Sequence, residues 1–600
     1  MIATVGTQGT KDEALQNTRQ LLARDPEAAE RQARIIIEGD AECIDAHTLL
    51  GLALRRQGRT DEALISEQRA IDLSMLQPTV FEALMTLSLQ QLDKSERAAR
   101  TVLETHPENA AGMRLLAEVA ARMGQLDEAE RLLRRALTVA PSYELARSLL
   151  ARIERARAIL GKGKTLPDRG TTELIEPSAG ETPTDEALHV YEIMAQEHSD
   201  NAELLVSYGH LLRTIGSQDK AVERYRQAIA VKPTFGEAWY AIGDLKASRY
   251  SPEDVTELQH LAQSDVRGLD RAQILFALGR ALEQFGDYPD SFEAYAEANR
   301  LRSTQTDYDA AVTARHVDHS CQVFDADYFA RRAGAGELSK GPVFILGMPR
   351  AGSTLLEQIL ASHSQIEPTG ELTDIANIAN SLSQSEQTRQ DSAYDPEAVA
   401  RLPQSDLLRL GRGYLWNAGL RRRTKKPLFI DKMPNNWLHL GFILSILPNA
   451  KIIDARRHPM ACCFSNFRQN FVAGQEFTYD LNDIGRFYRD YVRMMAHFDE
   501  VVPGRVYRVI HERLVANPDE EVRRMLDFVG VEFEESCLRF YENKRAVRTA
   551  SSEQVRRPIN REGLDQWRNF DPWLGDLRQA LGPIVDSYPD VPAALVDGSA

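Results

Sequence analysis

The residues best placed to do chemistry lie in a short glycine-rich segment, residues 347–354, which reads G-M-P-R-A-G-S-T. An apolar run, residues 343–346, precedes this segment and predicts a buried strand. A helical pattern begins after it, at Ser353. A strand, a tight turn and a helix N-terminus gather unpaired backbone N–H groups at the positive end of a helix dipole. The segment therefore predicts a loop that binds a phosphate or a related anion.

The loop differs from the Walker A motif, G-x-x-x-x-G-K-[ST], in one informative way. Ser353 follows Gly352 directly, so the lysine that reaches the β- and γ-phosphates in nucleotide kinases and NTPases is missing. A basic residue lies inside the loop instead, as Arg350. Such a loop suits a nucleotide without a γ-phosphate. The alternative interpretation is a glycine-rich turn that binds no ligand.

Length and composition set the frame for this loop. The chain has 600 residues, 43% of them hydrophobic and 27% charged, which predicts a globular protein of two to four domains. A net charge of −16 argues against a general binder of nucleic acid or of anionic membranes. The five cysteines have neither metal-ligand spacing nor a disulfide framework, and no signal peptide or spanning apolar segment is visible. We expect a cytoplasmic protein.

A period of about 34 residues runs through the first half of the chain. In one unit, Gly209 lies twelve residues before Ala221, and Tyr225 and Pro233 follow at fixed offsets. The same frame recurs around Ala63, Ala129 and Ser291. Small residues let two antiparallel helices approach closely, and the proline ends the second helix. The pattern resembles the tetratricopeptide repeat, whose units stack into a curved solenoid because no single unit can bury its apolar face.

These signals predict a multidomain protein: an all-α tetratricopeptide-repeat solenoid followed by an α/β domain with a parallel sheet and a P-loop-like turn. We expect a first repeat array over residues 1–160, a linker over 161–184 and a second array over 185–305. A helical connector is predicted for 306–340, and the α/β domain for 341–600. The concave face of a solenoid favours a protein or peptide partner, with an inert spacer or dimerisation arm as the alternative.

Four further stretches of the α/β domain carry candidate chemistry. Glu371 follows a glycine and is a candidate general base, or else a solvated charge at a helix start. Lys432 follows a short strand at the edge where open parallel sheets bind ligands, although a lysine in that place is commonly a plain surface residue. Arg457 ends another strand, and Ser465 lies eight residues later, so the two could grip one phosphate. A polar, basic loop over residues 549–560 could fold over a nucleotide or be an ordinary charged loop.

Taken together and in this order, the stretches resemble the sulfotransferases that use 3′-phosphoadenosine 5′-phosphosulfate (PAPS). The similarity is to the protein-tyrosine sulfotransferase branch and to bacterial proteins that join tetratricopeptide repeats to such a domain, and it covers about residues 341–570. The resemblance implies an enzyme that moves a sulfuryl group from PAPS to a hydroxyl group and leaves adenosine 3′,5′-bisphosphate. It implies no metal.

The resemblance also implies roles by motif position. The catalytic residues would be Glu371 as base, with Lys432 and Arg350 stabilising the sulfuryl oxygens. The cofactor-binding residues would be Arg350, Ala351, Gly352, Ser353 and Thr354 at the 5′-phosphosulfate, Arg457 and Ser465 at the 3′-phosphate, and Ser551, Gln554 and Arg557 in a loop that covers the nucleotide. His511 stands where the family has a tyrosine on the adenosine side, and this is a departure from the family's pattern.

Two rival functions remain at this point: a P-loop kinase or nucleotidase, and a repeat scaffold whose α/β domain is catalytically idle. The missing loop lysine weighs against the first. The presence of Glu371, Lys432, Arg457 and Ser465 weighs against the second. The acceptor is open between a protein tyrosine or other peptide hydroxyl, brought by the repeats, and a carbohydrate, lipid or small metabolite. We expect no nucleic acid or membrane as partner.

Overall fold

The computed structural model describes most of the chain in two compact units. The described residues are 10–160 without 89, 90 and 124, 183–382 without 246–248, 394–471 without 423 and 425, 474–543 and 554–592, together with 3, 4, 7, 8 and 595. The first unit covers Met1–Leu204, and the second covers Leu205–Arg422 and Lys426–Ala600. Of the predicted linker, residues 161–182 lie outside the described residues.

The first unit is built from helices joined by short turns. After a small antiparallel pair of strands, β1 (Ala3–Thr4) and β2 (Thr7–Gln8), its helices span Lys11–Arg24, Pro26–Gly39, Ile44–Arg56, Thr60–Leu76, Pro78–Ser88, Leu92–Thr105, Ala110–Arg122, Leu126–Val139, Glu144–Leu160 and Pro183–Glu197. Neighbouring helices pack through small residues, and Ala63 and Ala129, which define the repeat frame, are fully buried. This packing confirms the predicted repeat solenoid for this unit.

The second unit begins with more helices of the same kind. They span Ala202–Thr214 (whose first residues belong to the first unit), Gln218–Val231, Gly236–Asp244, Pro252–Gln263, Gly268–Phe285 and Tyr288–Ser303, and the connecting helices Ala310–Val323 and Ala326–Arg331 follow. A Cβ atom placed on Gly209 would lie 2.3 Å from the Tyr225 ring. Gly279 has the same relation to Tyr295, at 2.8 Å. The glycine and tyrosine of the repeat frame are therefore one close contact between paired helices.

The α/β domain is organised around a parallel sheet of five strands in the order β4-β5-β3-β6-β7. The strands are β3 (Pro342–Gly347), β4 (Ile366–Pro368), β5 (Leu428–Lys432), β6 (Lys451–Arg456) and β7 (Val506–Ile510). All six residues of β3, the central strand, are buried, which explains its unbroken apolar run. The sheet confirms the predicted fold.

Helices cover and connect these strands. The α-helices span Ser353–Ala361, Asp374–Ser381, Pro396–Ala400, Gln404–Arg421, Leu440–Ile446, Pro459–Phe467, Leu481–Val501, His511–Ala516, Pro518–Val529, Gly575–Leu581 and Ile584–Ser587. Short 3₁₀ helices span Pro434–His439, Glu476–Tyr479, Glu535–Cys537, Phe540–Glu542, Gln554–Arg556 and Gln566–Trp573. Below, Ser353–Ala361 is called the loop helix and Pro459–Phe467 the clamp helix.

The register of the strands brings the candidate residues to one edge of the sheet. Lys432, the last residue of β5, pairs with Ile345 of β3. Gly347, the last residue of β3, pairs with Ala455 of β6. Because all strands run in the same direction, the phosphate loop (residues 347–352) and the ends of β5 and β6 share the carboxyl edge, where open α/β sheets bind ligands.

The last repeat helices pack directly against the α/β domain within the second unit. The Phe292 ring lies between those of Phe467 and Trp573, at centroid distances of 6.0 and 5.9 Å. The side-chain amide of Asn299, which is buried, donates to the Phe467 carbonyl at 2.8 Å. The repeats thus support the end of the clamp helix, which carries Ser465.

Candidate active site

The phosphate loop has a backbone that few residues other than glycine can adopt. Gly347 and Gly352 have φ angles of 135° and 102°. A Cβ on Gly347 would lie 2.5 Å from the Ala455 carbonyl oxygen, and one on Gly352 would lie 2.8 Å from Nδ1 of His511. Arg350 also has a positive φ, 65°, and is alone among the described non-glycine residues in this. Such strain in a loop is commonly found where a ligand is held.

The loop leads straight into the N-terminus of the loop helix. Gly352, at the position before the helix, has no side chain with which to cap it. Ser353 and Thr354 are buried in the first turn, close to the loop, and Ala351 is buried in the loop itself. The first N–H groups of a helix have no partners within the helix, so they and the helix dipole favour an anion here. The predicted strand, turn and helix start are therefore all present in this place.

The predicted arginine–serine pair meets the phosphate loop in one cleft. Nε of Arg350 lies 3.3 Å from Oγ of Ser465, to which it donates. Nη1 of Arg457 donates to the carbonyl oxygen of Arg350 at 3.0 Å. The hydroxyl of Tyr488 donates to the Arg457 carbonyl at 2.7 Å and so fixes the end of β6. Arg350, Arg457 and Ser465, far apart in the sequence, are thereby brought together.

Positive charge is concentrated in this cleft. Burial lowers the pKa of the Arg350 guanidinium to about 10; Asp244 opposes this effect, and the guanidinium groups of Arg457, Arg280 and Arg468 add to it. Burial also lowers the pKa of Arg457. Crowded cations that are desolvated in this way are stabilised when an anion binds beside them. The cleft is suited to a group with several negative charges.

The second cluster lies at the end of β5. Lys432 is 1% exposed and forms an ion pair with the half-exposed carboxylate of Glu371. The backbone fixes this pair, because the Lys432 N–H donates to the Gly370 carbonyl at 3.0 Å and Gly370 turns the chain with a φ of 78°. The result is an ammonium group and a reachable carboxylate side by side at the edge of the sheet, as acid–base chemistry on a hydroxyl group requires.

A buried carboxyl group, Asp431, lies next to this cluster along β5. The hydroxyl of Tyr414 donates to its Oδ2 at 2.8 Å. Burial raises the pKa of Asp431 to about 8. Because the carboxyl group is protonated over most of the physiological range, it does not cancel the charge of Lys432. No local sequence pattern marks Asp431, and its complete burial in the sheet is what distinguishes it.

The predicted covering loop is only partly described. Ser551 lies outside the described residues. Gln554 begins the 3₁₀ helix Gln554–Arg556, which packs on the loop helix, and Arg557 follows it exposed to solvent. Further on, the Gly563 carbonyl accepts a hydrogen bond from Nη2 of Arg457. This part of the chain therefore lies against the cleft at Gly563.

His511 packs on the phosphate loop from the end of β7. Burial lowers the pKa of His511 to about 4, with Arg457 adding to the effect and Glu512 opposing it. The imidazole is therefore neutral at physiological pH. Glu512 is held by the His458 N–H, at 3.0 Å, and by the Tyr588 hydroxyl. The substitution of the family's tyrosine by histidine thus places a neutral ring against Gly352.

The sequence did not predict an electrostatic effect of the second array on the phosphate loop. Asp244 and Arg280 lie on helices of the second array, yet both shift the pKa of Arg350: Asp244 raises it and Arg280 lowers it. Their periodic positions mark them as repeat residues, and no local pattern singles them out. Only the packing of the second array on the clamp helix brings them near the phosphate loop.

Two kinds of feature are absent from the described residues. Among these residues no group of three or more histidine, cysteine, aspartate or glutamate side chains is arranged to hold a metal ion. Within the same residues, no helix has the length and apolar character needed to cross a membrane.

Comparison with known proteins agrees with this geometry. Residues 342–535 match the model of the sulfotransferase family, and residues 18–78, 87–153 and 202–235 match models of the tetratricopeptide repeat. The chain joins tetratricopeptide repeats to a sulfotransferase-family domain. The family match covers the phosphate loop, Glu371, Lys432, Arg457 and Ser465, and ends before the covering loop.

Relatives of this chain come from several organisms. An uncharacterized protein of Aquifex aeolicus is 33% identical over 402 residues, which are 64% of this chain and 52% of that protein. The chain thus spans about half the length of that relative. A putative protein-tyrosine sulfotransferase of Caenorhabditis briggsae is 24% identical over 261 residues, 40% of this chain and 85% of that protein. The protein-tyrosine sulfotransferase of Drosophila melanogaster is 25% identical over 261 residues, 40% and 50% of the two chains.

A solved structure is similar as well. The sulfotransferase domain from the olefin synthase of Synechococcus PCC 7002 is 23% identical and covers 44% of this chain and 98% of its own, with a TM-score of 0.30.

Proposed function

We propose that this protein transfers a sulfuryl group from PAPS to a hydroxyl acceptor. The observation that carries the proposal is the meeting of Arg350, Arg457 and Ser465 at a loop without a Walker lysine. Lys432 ends β5, and Glu371 follows the neighbouring strand β4, so the two lie at the same edge of the sheet. The two clusters supply an anion site and an acid–base pair, which sulfuryl transfer to a hydroxyl group needs together.

The residues of the cleft fit the two phosphates of PAPS. Nε of Arg457 is buried and has no hydrogen-bond partner among the described residues, so this N–H group can donate to a bound phosphate. The uncapped N-terminus of the loop helix offers N–H groups a short way along the loop. We assign the 3′-phosphate to Arg457 and Ser465, and the 5′-phosphosulfate to Arg350, Ala351, Gly352, Ser353 and Thr354. Gln554, Arg557 and Ser551 are proposed to cover the nucleotide.

The chemistry asked of the protein is positioning and charge stabilisation. When bound, PAPS supplies an activated sulfuryl group on a 5′-phosphate leaving group. Glu371 is proposed to accept the proton of the acceptor hydroxyl at a carboxylate oxygen, and its half exposure leaves it open to an incoming substrate. Lys432 and Arg350 are proposed to donate hydrogen bonds to oxygens whose negative charge grows during the transfer. As in phosphoryl transfer, little covalent work by the protein is needed.

The acceptor that we propose is a protein tyrosine or another peptide hydroxyl, recruited by the repeats. Support comes from the repeats themselves, since concave solenoids commonly bind peptides, and from relatives that are named protein-tyrosine sulfotransferases. We place the reaction in the cytoplasm, where free cysteines such as the buried Cys462 and Cys463 stay reduced. The donor is proposed to act without a metal ion.

A transfer assay tests this proposal. The full chain is incubated without metal, with PAPS carrying a radioactive sulfate and with a cell lysate as source of acceptors. Label should enter the protein fraction and, after hydrolysis, should be found on tyrosine or another hydroxyl residue. Label in carbohydrate or lipid would move the acceptor to that class. No transfer to any fraction, together with phosphoryl transfer from ATP and Mg²⁺, would contradict the sulfuryl donor itself.

A further inference from the structure

The clamp helix holds one peptide group of the phosphate loop, that between Pro349 and Arg350. Nδ2 of Asn466 donates to the Pro349 carbonyl at 2.8 Å, and the Cys462 thiol donates to the same oxygen at 3.4 Å. Nδ2 of Asn466 also donates to the Cys462 carbonyl, at 3.0 Å. Since both acceptors of the amide are carbonyl oxygens, its NH₂ group faces them. Asn466 and Cys462 are completely buried, so these contacts lie inside the domain.

The held peptide group precedes the strained residue of the loop. Arg350, with a φ of 65°, is the one non-glycine residue of the described chain that has a positive φ. A residue with a Cβ atom stays in the left-handed region only where surrounding contacts fix it there. Such contacts lie on both sides, because Asn466 holds the Pro349 carbonyl and Nη1 of Arg457 donates to the Arg350 carbonyl at 3.0 Å. Asn466 and Arg457 therefore fix the peptide groups before and after Arg350.

The direction of the Arg350 N–H group follows from the held carbonyl. In a trans peptide the C=O and N–H bonds point in opposite directions. Among the described residues only the bond Tyr588–Pro589 is cis, so the bond between Pro349 and Arg350 is trans. With the Pro349 carbonyl turned toward Asn466, the Arg350 N–H points away from the clamp helix. A backbone N–H group fixed in a phosphate loop is a ready donor to an oxygen of a bound anion, and rotation of the peptide group would remove it.

Neighbouring residues of the clamp helix contact different parts of Arg350. Oγ of Ser465 accepts from Nε of the arginine side chain at 3.3 Å, and Asn466 fixes the peptide group before it. Burial raises the pKa of Cys462 to about 12, so the second group on the Pro349 carbonyl stays a thiol and can donate. The phosphate loop thus depends on the clamp helix for the placement of both its backbone and its arginine.

We propose that Asn466 is a positioning residue for the 5′-phosphosulfate, because it holds the peptide group that presents the Arg350 N–H to this anion. The inference rests on the proposed function, which assigns the 5′-phosphosulfate to the phosphate loop. Asn466 acts through the backbone of the loop and does not touch the donor. Its loss should therefore weaken the contacts with the 5′ end of the nucleotide and spare those of Arg457 and Ser465 with the 3′-phosphate.

Calorimetric titration of the full-length protein with three nucleotides tests the proposal. Adenosine 3′,5′-bisphosphate can occupy both phosphate sites, adenosine 5′-monophosphate only the loop, and adenosine 3′-monophosphate only the site of Arg457 and Ser465. Asn466→Leu keeps a side chain of similar size but has no donor. It should bind the bisphosphate and the 5′-monophosphate roughly tenfold less tightly, since one fixed hydrogen bond is lost. It should bind the 3′-monophosphate as the normal protein does.

A second buried asparagine provides the matched control. Nδ2 of Asn299 also donates to two carbonyl oxygens, those of Tyr295 and Phe467, each at 2.8 Å, and neither residue belongs to the phosphate loop. Asn299→Leu is therefore the same chemical change at a similar depth. Any change in affinity that it causes should be equal for the three nucleotides.

Cys462→Ala decides the matter if Asn466→Leu does not fold. It removes the weaker of the two donors to the Pro349 carbonyl, so its effect should have the same selectivity and a smaller size. We expect about a twofold loss of affinity for the bisphosphate and the 5′-monophosphate, with an unchanged affinity for the 3′-monophosphate.

The outcomes separate this inference from the proposed function. Unchanged binding of the bisphosphate in Asn466→Leu, or equal weakening of all three nucleotides, would overturn the inference alone. So would a fall in the midpoint of thermal unfolding with no difference between the nucleotides, since that result belongs to a residue that only stabilises the fold. A normal protein that does not bind the bisphosphate, or does not bind the 3′-monophosphate, would overturn the proposed function and the inference with it.

Discussion

The two arrays are built from the same kind of repeat, but their buried charged side chains have different kinds of partner. In the first array, Glu67 is 1% exposed and accepts hydrogen bonds from Arg55 and from the backbone of Ser142. Arg114, also buried, is satisfied by Glu118 and Glu186 of the same unit. These networks close within the first unit. In the second array, Tyr240 accepts a hydrogen bond from Asn470 of the sulfotransferase domain, and Glu283 pairs with Arg468 of that domain.

The difference teaches that repeat identity does not decide whether a solenoid is an accessory or a part of a site. The glycine–tyrosine contact that joins paired helices, as between Gly209 and Tyr225, sets only the internal geometry of a unit. Whether the solenoid takes part in a site depends on which residues its outer positions contact. The second array shares one compact unit with the sulfotransferase domain, so its outer residues have a folded partner.

The largest effect should come from substitutions at the carboxyl edge of the sheet. The smaller effects expected in the two arrays are compared with it. We expect Lys432→Ala and Arg350→Ala each to lower kcat by about 10²–10³-fold, because each removes a donor aimed at developing negative charge. The rate of sulfate transfer to a small hydroxyl acceptor measures this. Lys451→Ala, at the opposite end of strand β6, is the matched control and should keep normal turnover. Full activity of Lys432→Ala and Arg350→Ala would remove their assigned roles.

The first array should show a large effect on stability and none on chemistry. Glu67→Gln removes the charge that Arg55 and Ser142 share, at an expected cost of about 2 kcal/mol. The midpoint of thermal unfolding of the first unit should fall by roughly 4–8 °C. Transfer to a small acceptor should be unchanged. A loss of turnover well below the unfolding temperature would erase the distinction between the two arrays.

A substitution in the second array should have a smaller effect, and this effect should be on nucleotide binding. The Tyr240 hydroxyl accepts from the Asn470 backbone N–H at 3.2 Å and contacts Gln469, just beyond the clamp helix. We expect Tyr240→Phe to weaken bisphosphate binding by roughly fivefold, equivalent to about 1 kcal/mol. Titration calorimetry measures the change.

A tyrosine of the same array serves as the control for Tyr240→Phe. The hydroxyl of Tyr250 donates to the Trp239 carbonyl at 2.7 Å, inside the repeats. Tyr250→Phe should therefore cost stability and leave the affinity alone. If both substitutions weaken the binding equally, the contact with the clamp helix has no special part in it.

Much of the fold and of the candidate site could be predicted because the signals are local. The repeat frame around Ala221, the strand before Gly347 and the hydroxyl eight residues after Arg457 are short spacings with a direct physical meaning. They predicted the solenoid, the parallel sheet and the residues at its carboxyl edge. Once the strands pair in parallel, these residues lie together at one edge of the sheet.

The remainder could not be predicted, because it depends on contacts between distant segments. Nothing near Tyr240 indicates that this helix of the second array will contact Asn470, just beyond the clamp helix. The packing of His511 against Gly352 follows from the pairing of β6 with β7, and the raised pKa of Asp431 follows from burial on both faces of the sheet. Burial and long-range packing set these properties, and a linear pattern does not record them.

The most direct test of the account is the binding of adenosine 3′,5′-bisphosphate in the absence of metal, compared between the normal protein and Arg457→Gln. The account predicts one bound nucleotide per chain and an affinity at least about tenfold weaker in the variant, because a charged hydrogen bond to the 3′-phosphate is lost. Stabilisation by ATP with Mg²⁺ but not by the bisphosphate would contradict it. Equal affinity of the two proteins would contradict it as well.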